Sequence, residues 1–406
     1  MKTILFVSPT GTFDNGAEIS IFNFEKYLIQ LGYTVLNVCP RNNNQDYIDR
    51  HREEGIQLFQ LDALNWWWED APGEVNGNIN ERAYYYRQNI SEIREIIKKK
   101  EVDILISNTV NVFQGAVAAA CESKKHFWLI HEFPEGEFAY YRSKIDFIEE
   151  YSDEIFSVSG LLNEQLSDIF KKEVKSFIPY TEIKGTISRK STTSRIVSVG
   201  RLTDRKNQLE LLKAYKELDR PEVELVFIGA QDKEYKKICD NFISENKLRN
   251  ITFTGNLEEP WEELTDKDIF VSTSAMETFG LVYVEALLKG IPTIISDNPG
   301  YNSVYKIFGQ GKQYHLGEAK QLADYIQEAL DNFELLKEES LLQTKEVQKK
   351  YALDTVYEEI CKAIENGEDT TLRTIRHIGH LVSVNEAVNA KSLGSKIKRK
   401  IKKILI

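Results

Sequence analysis

Two glutamates eight positions apart, Glu277 and Glu285, bracket a Phe279-Gly280-Leu281 turn, and in this chain of 406 residues they are the pair whose type and spacing best suit chemistry. Leu281, Val284, Leu287 and Leu288 recur at helical spacing until Gly290 and Pro292, so a helix starts inside the turn. Its first N–H groups, around Phe279, Gly280 and Leu281, are open to an anion, and glycine at 280 lets a phosphate approach the backbone. Glu277 then lies on the loop facing that anion. Glu285 lies about one turn into the helix, within reach of a hydroxyl-bearing ligand. The pair also has a plain structural reading, because the helix dipole favours acidic residues near a helix N-terminus.

The elements that must hold this turn follow from hydrophobic patterning. Ile269-Phe-Val271 is a branched and aromatic run of the kind found in buried parallel strands, and Ile291 to Ile295 supplies the next strand. The amino-terminal half alternates in the same way. Lys2 to Ser8 reads as a strand, Pro9 to Gly16 as a polar loop, Ala17 to Leu31 as a helix ended by Gly32, and Tyr33 to Val38 as a strand. Val102 to Ser107, Phe127 to His131 and Glu154 to Val158 are further strands, separated by the helix candidates Gly115 to Cys121 and Tyr140 to Tyr151. The Ser- and Thr-rich stretch 185–194 suits a linker. After it come the strand Arg195 to Gly200, a loop to Asn207, the helix Gln208 to Leu218, and the strands Leu225 to Gly229 and Ile251 to Gly255. The expected class is α/β, with two doubly wound Rossmann-like domains facing a central cleft, residues 1–184 and 195–345.

Composition narrows the function. Hydrophobic residues at 42% and charged residues at 28% are ordinary for a globular protein of two domains. A net charge of −11 argues against nucleic acid as a partner. Cys39, Cys121, Cys239 and Cys361 are scattered without C-x-x-C spacing, which points to neither a zinc site nor a disulfide framework and fits a reducing cytoplasm. The apolar run Ile4 to Val7 is too short for a signal peptide, and no run approaches the roughly 20 apolar residues of a membrane span. Trp66 to Trp68 and Tyr84 to Tyr86 are aromatic clusters that suit either sugar stacking or the packing of a long excursion.

Glu277 and Glu285 with Phe279-Gly280-Leu281, together with Gly200-Arg201-Leu-x-x-x-Lys206-Asn207 and Gly255, resemble the motifs of retaining glycosyltransferases of family 4, nucleotide-sugar enzymes with the GT-B fold. The resemblance runs over roughly residues 1–365 and is more specific in the second half. It implies that Arg201 and Lys206 hold the donor diphosphate, where a guanidinium and an ammonium stabilise the charge left when a sugar–phosphate bond breaks. It further implies donor contacts from Phe279, Gly280, Leu281 and Glu285, the last on the ribose hydroxyls. Glu277 and His131 are implied as catalytic residues at the donor sugar. The loop Thr10 to Glu18 resembles the family's glycine loop, with Gly16 as a donor contact and Asn15 standing where a second glycine is frequent. Asn15 is expected to tolerate positive φ there. Arg205 is read as a solvated neighbour, and Asp266-Lys-Asp268 as the end of a loop before a strand rather than a metal site. No metal and no cofactor are expected beyond the nucleotide-sugar substrate. The segment 346–366, centred on Tyr351 to Ile364, is expected to be a helix crossing back to the first domain.

The tail 367–406 ends in Lys391 to Ile406, with seven basic residues and no acidic one, which leaves −18 for the other 390 residues. Leu393, Ile397, Ile401, Ile404 and Leu405 form one helical stripe with the cations mostly around it, the pattern of an interfacial helix at an anionic membrane. A frayed terminus, or one docked on the acidic body of its own protein, is the other reading. The expected function is transfer of a sugar from a nucleotide-diphosphate sugar to a glycan or lipid-linked acceptor in surface polysaccharide synthesis, by a cytoplasmic protein peripheral on the inner face of the plasma membrane. The alternative is a non-catalytic GT-B subunit that binds and stabilises a partner glycosyltransferase.

Overall fold

The computed structural model describes residues 2–62, 64, 79–183, 185–367, 369–372 and 375. Trp66 to Trp68 and the basic tail Lys391 to Ile406 lie outside them. In the first half, β1 (Thr3–Val7), β2 (Thr34–Pro40), β3 (Gln57–Leu61), β4 (Ile104–Asn108), β5 (Lys125–Ile130), β6 (Glu154–Val158) and β7 (Val174–Phe177) pair in parallel in the order β3-β2-β1-β4-β5-β6-β7. In the second half, β8 (Arg195–Val199), β9 (Glu224–Ile228), β10 (Ile251–Gly255), β11 (Asp268–Ser272), β12 (Thr293–Ser296) and β13 (Lys312–Tyr314) form a six-stranded parallel sheet in the order β10-β9-β8-β11-β12-β13. The central strands, Ile-Leu-Ile-Ser-Asn in β4 and Asp-Ile-Phe-Val-Ser in β11, are buried along their whole length, because helices cover both faces of each sheet. This is the α/β GT-B architecture.

In each sheet the strand order reverses between two central neighbours, β1 and β4 in the first and β8 and β11 in the second. Loops at the carboxyl ends of such neighbours leave in opposite directions and open a crevice where ligands bind. The crevice of the first sheet is bordered by residues 8–15 and 109–113, and that of the second by residues 200–207 and 273–280.

The expected single helix over 346–366 is broken. A helix runs from Phe333 to Lys350, the chain turns at Tyr351 and Ala352, and Leu353–Val356 and Glu358–Glu365 follow as separate helical pieces. The break lets two buried tyrosines reach the first half with their hydroxyls. Tyr351 Oη donates to the Pro179 carbonyl (2.7 Å) and Tyr357 Oη to the Ser20 carbonyl (2.8 Å). Tyr357 also packs on Phe24, ring centroids 4.3 Å apart. The segment expected as a helix over Tyr140 to Tyr151 is instead a 3₁₀ stretch, Gly136–Lys144, followed by the short helix Ile145–Glu150. Tyr86 meets Phe113 edge to face at 5.0 Å, while Tyr84 is exposed. Besides the return segment, the halves touch where the Leu161 N–H donates to Ser303 Oγ (3.0 Å) and where Lys306 pairs with Glu164 (3.2 Å).

Candidate functional site

The loop after β8 closes in a 3₁₀ turn, Asp204–Lys206, because Thr203 caps it and Asn207 adopts a left-handed conformation (φ 52°). That geometry folds the Lys206 stem over Gly200, so a Cβ on Gly200 would lie 3.6 Å from Lys206 Cε. The loop is tied to its neighbour after β11 by the Ala275 N–H donating to the Arg205 carbonyl (2.8 Å) and by Thr273 Oγ1 donating to the Asn207 carbonyl (2.9 Å). The outcome is a close pair, Lys206 Nζ to Glu277 Oε1 at 2.5 Å, with both side chains largely buried. Arg205, expected to be merely solvated, approaches the other carboxylate oxygen at 3.6 Å, although more than half of its side chain is exposed. Burial alone would push the Glu277 carboxyl up. The Lys206 and Arg205 charges and the Lys206 hydrogen bond outweigh it and hold Glu277 below its ordinary value, so it is ionised at neutral pH. Arg201 is exposed on the same loop, and its carbonyl accepts from Gln208 Nε2 (3.0 Å).

Glycine at 280 has two local causes. Its φ is 103°, and a Cβ there would meet the Tyr301 ring at 2.3 Å. The bareness of Gly280 is therefore filled by Tyr301 on one side, whose hydroxyl is bonded to Ser272 Oγ at 2.6 Å. Leu281 opens the helix Leu281–Lys289, Phe279 is buried behind it, and no side chain caps that N-terminus. Opposite stands the helix Gly16–Gln30. A Cβ on Gly16 would lie 3.0 Å from Leu281 Cδ1, so the two helix N-termini face each other across the cleft and glycine is what allows the approach. Asn15 is extended (φ −137°), not left-handed. It caps the helix by accepting from the Glu18 N–H (3.0 Å), and Gly11 takes the positive φ of this loop.

Glu285 lies one turn into its helix, and both of its oxygens already have protein donors. Thr181 Oγ1 donates to Oε1 (2.9 Å) and Trp261 Nε1 to Oε2 (2.8 Å). Burial raises its carboxyl above the ordinary value against these two hydrogen bonds.

On the first-half side, His131 follows β5 and is buried against Phe177, ring centroids 5.2 Å apart. Burial lowers its pKa to about 3, so the imidazole is neutral, and its Nε2 has no partner among the described residues. The β4–β5 register pairs Asn108 with Leu129, which puts Asn108 and His131 on one face of the sheet, and Asn108 Oδ1 is likewise unpartnered. Glu132 accepts from the Val110 N–H (3.2 Å) and the His131 N–H (3.0 Å), binding the ends of β4 and β5 together, and burial raises its pKa to about 7. Glu18 has a similar place in the glycine loop. Oε1 accepts from Thr10 N (2.9 Å), Thr10 Oγ1 (2.7 Å) and Gly11 N (3.1 Å), and Oε2 accepts from Tyr47 Oη (3.2 Å).

The structure thus gathers Lys206, Glu277, Gly280, Leu281 and Gly16 along one cleft, with Glu285 deeper in the same helix and His131 at the carboxyl edge of the opposing sheet. Sequence reasoning missed Arg205, Tyr301, Thr181, Trp261 and Glu132. Only Glu132 carried a signal, a carboxylate next to a histidine at a strand end. The Asp266-Lys-Asp268 pair is structural. Asp268 forms a two-pronged bond with Arg195 (2.8 Å for each prong), and Asp266 accepts from Lys190 Nζ and Ser191 N, both at 3.0 Å. No cluster among the described residues is arranged to hold a metal ion.

Residues 180–341 match the family model of glycosyl transferases group 1. The poly(glycerol-phosphate) alpha-glucosyltransferase of Bacillus subtilis is 27% identical over 300 residues, 67% of this chain and 41% of that protein. The alpha-monoglucosyldiacylglycerol synthase of Streptococcus pneumoniae is 26% identical over 200 residues, 44% of each chain. The chain thus spans less than half the length of these curated relatives. Among solved structures, Anabaena HepE in complex with UDP-glucose superposes with a TM-score of 0.73 at 16% identity, over 90% of this chain and 99% of that one. In sequence over its second half, and in fold over nearly its whole length, the chain resembles the GT-B glycosyltransferases of group 1.

Proposed function

We propose that this protein is a retaining glycosyltransferase that moves a sugar from a nucleoside-diphosphate sugar to a glycan or lipid-linked acceptor in surface polysaccharide synthesis. The observation that carries the reading is the Lys206–Glu277 pair at the uncapped N-terminus of Leu281–Lys289. A cation, an ionised carboxylate and free helix N–H groups meet there, and a diphosphate with a sugar attached needs all three. As the bond between the anomeric carbon and the β-phosphate oxygen breaks, its electron pair stays on the diphosphate. Lys206, Arg201 and the helix N-terminus stabilise the charge. The acceptor oxygen bonds to the anomeric carbon on the face the phosphate leaves, and its proton passes to the departing phosphate oxygen. Glu277 orients the sugar and opposes the positive charge that develops on its ring. Glu285 holds the ribose hydroxyls, and neutral His131 offers Nε2 to the sugar from the other side.

With these cations in place the reaction is expected to need no metal, so activity should survive a chelator. The alternative of a non-catalytic subunit gives the buried Lys206–Glu277 pair no task.

The Bacillus relative bears the name of a glucosyltransferase for poly(glycerol phosphate), and the pneumococcal one that of a glucosyl-diacylglycerol synthase. The second name supports a lipid acceptor, and the first an acceptor that is a phosphate polymer. Lys391 to Ile406 would bring the enzyme to the anionic cytoplasmic face, and no helix among the described residues is long and apolar enough to cross a membrane. Thermal-shift screening with UDP, GDP, dTDP and their sugars, followed by NMR of the product anomer, tests the core of the reading. Stabilisation by none of them, or an inverted anomer, overturns it. Co-sedimentation with anionic liposomes tests the membrane part, since a chain ending at Asn389 should lose binding at low salt.

A further inference from the structure

Glu285 does not stand alone in its helix. Its two carboxylate oxygens are held by donors from two different places, the Thr181 hydroxyl and the Trp261 indole N–H. An ionised carboxylate oxygen has two acceptor sites, so each keeps one for a ligand hydroxyl, and the two protein donors decide where those remaining sites point. Thr181 is itself fixed. It lies at the end of the segment that leaves β7, its N–H donates to Tyr351 Oη (2.9 Å), and Tyr351 Oη donates back to the Pro179 carbonyl. Tyr180 stacks on the Tyr351 ring, centroids 5.0 Å apart and planes 21° off parallel, and its N–H donates to Ser20 Oγ (3.1 Å) on the helix that begins at Gly16. One chain of contacts therefore joins the glycine-loop helix, the exit from the first half, the return segment and Glu285.

We propose that Thr181 and Trp261 are positioning residues for the donor nucleotide, setting the Glu285 carboxylate for the two vicinal hydroxyls of a ribose, and that through Thr181 this setting depends on the strand-to-linker segment 179–181 of the first half. The inference rests on Glu285 binding donor ribose. Thr181 and Trp261 touch no substrate; they act through Glu285. Two fixed lone-pair directions match a cis-diol better than a single hydroxyl, because a rigid acceptor pair loses less conformational freedom on binding. The role is separate from phosphate binding by Lys206 and Arg201, so it is readable in the ribose alone.

The test measures affinity of the full chain for uridine 5′-diphosphate and for its 2′,3′-dideoxy analogue by titration calorimetry, with guanosine and adenosine diphosphates and their dideoxy analogues in parallel if uridine is not the base. Thr181→Val keeps the branched shape and removes the donor, and should weaken ribonucleotide binding about five- to tenfold while leaving the dideoxy analogue unchanged. Thr181→Ser should restore parental affinity. Trp261→Phe should act in the same direction and serves if the valine variant folds poorly. In turnover the loss should appear in the donor KM, with kcat little altered. An equal loss for both analogues, or no loss in either variant while Glu285→Gln does weaken the ribonucleotide, overturns the positioning role and leaves the functional reading intact. No loss even in Glu285→Gln overturns the ribose assignment on which the inference stands.

Discussion

The two sheets offer the cleft unlike polar groups. On the second, an ammonium and a carboxylate meet at 2.5 Å beside a helix N-terminus, and the pair keeps Glu277 ionised. On the first, the carboxylates of Glu18 and Glu132 bind the backbone N–H groups of their own loops, and the buried histidine at the sheet edge is neutral. Charge is thus concentrated where the proposed donor diphosphate lies. The opposing half is organised by hydrogen bonds that shape its loops. The same topology serves both, so the difference comes from which side chains follow equivalent strands: Gly-Arg-Leu after β8, and Ser-Pro-Thr after β1.

The contrast can be broken first at Glu277. Glu277→Gln keeps the shape, removes the charge, and should lower kcat about 100- to 1,000-fold with little change in donor KM, as steady-state kinetics will show. A change confined to KM would put Glu277 in nucleotide binding instead. Next in size, Arg201→Ala and Lys206→Ala should each weaken nucleoside-diphosphate binding by about 1.5–3 kcal/mol, measured by calorimetry. Parental affinity in both variants would remove the charged site from the second half.

The first half can be sharpened by pH. Glu132 has a folded pKa raised from 4.5 to about 7, so the folded state holds its proton more tightly than the unfolded chain. The resulting stability is fully present below about pH 4.5 and is lost as pH rises through about 7. Glu132→Gln should remove this dependence, so that melting curves of parent and variant diverge between those limits, the parent losing more stability as pH rises. A constant difference across that window would mean that the buried carboxyl does not titrate there. The smallest effect is expected at Asn15. Because it is an extended cap, Asn15→Ala should cost about 1 kcal/mol and Asn15→Gly only a few tenths, seen in Tm. A clear gain from glycine would indicate that the loop needs positive φ at 15 after all.

Much of this architecture was legible from patterning. Strands such as Glu154–Val158 and the helix Gln208–Leu218 lie where apolar runs and spacing put them, because a strand buried on both faces and a helix with one apolar stripe leave distinct periods. Over 346–366 patterning implies one helix where the structure has three pieces, since periodicity on either side of Tyr351 is helical and burial of its hydroxyl against Pro179 accounts for the turn. Asn15 is an extended cap rather than a left-handed residue; its type suits both, and local sequence does not choose between them.

The chain's short-range patterns carry the inventory: two alternating α/β halves, a glutamate pair eight residues apart around a glycine turn, and an arginine and a lysine on one loop. These are local properties, written in spacings of a few residues. Tertiary structure decided the partnerships. It brought Lys206 onto Glu277 from 71 positions away, set Thr181 and Trp261 on Glu285, put the Tyr301 ring where Gly280 lacks a side chain, and placed Gly16 against Leu281. Such contacts depend on the order of strands in the sheets and on how the two sheets meet, and neither is encoded in any short stretch of the chain.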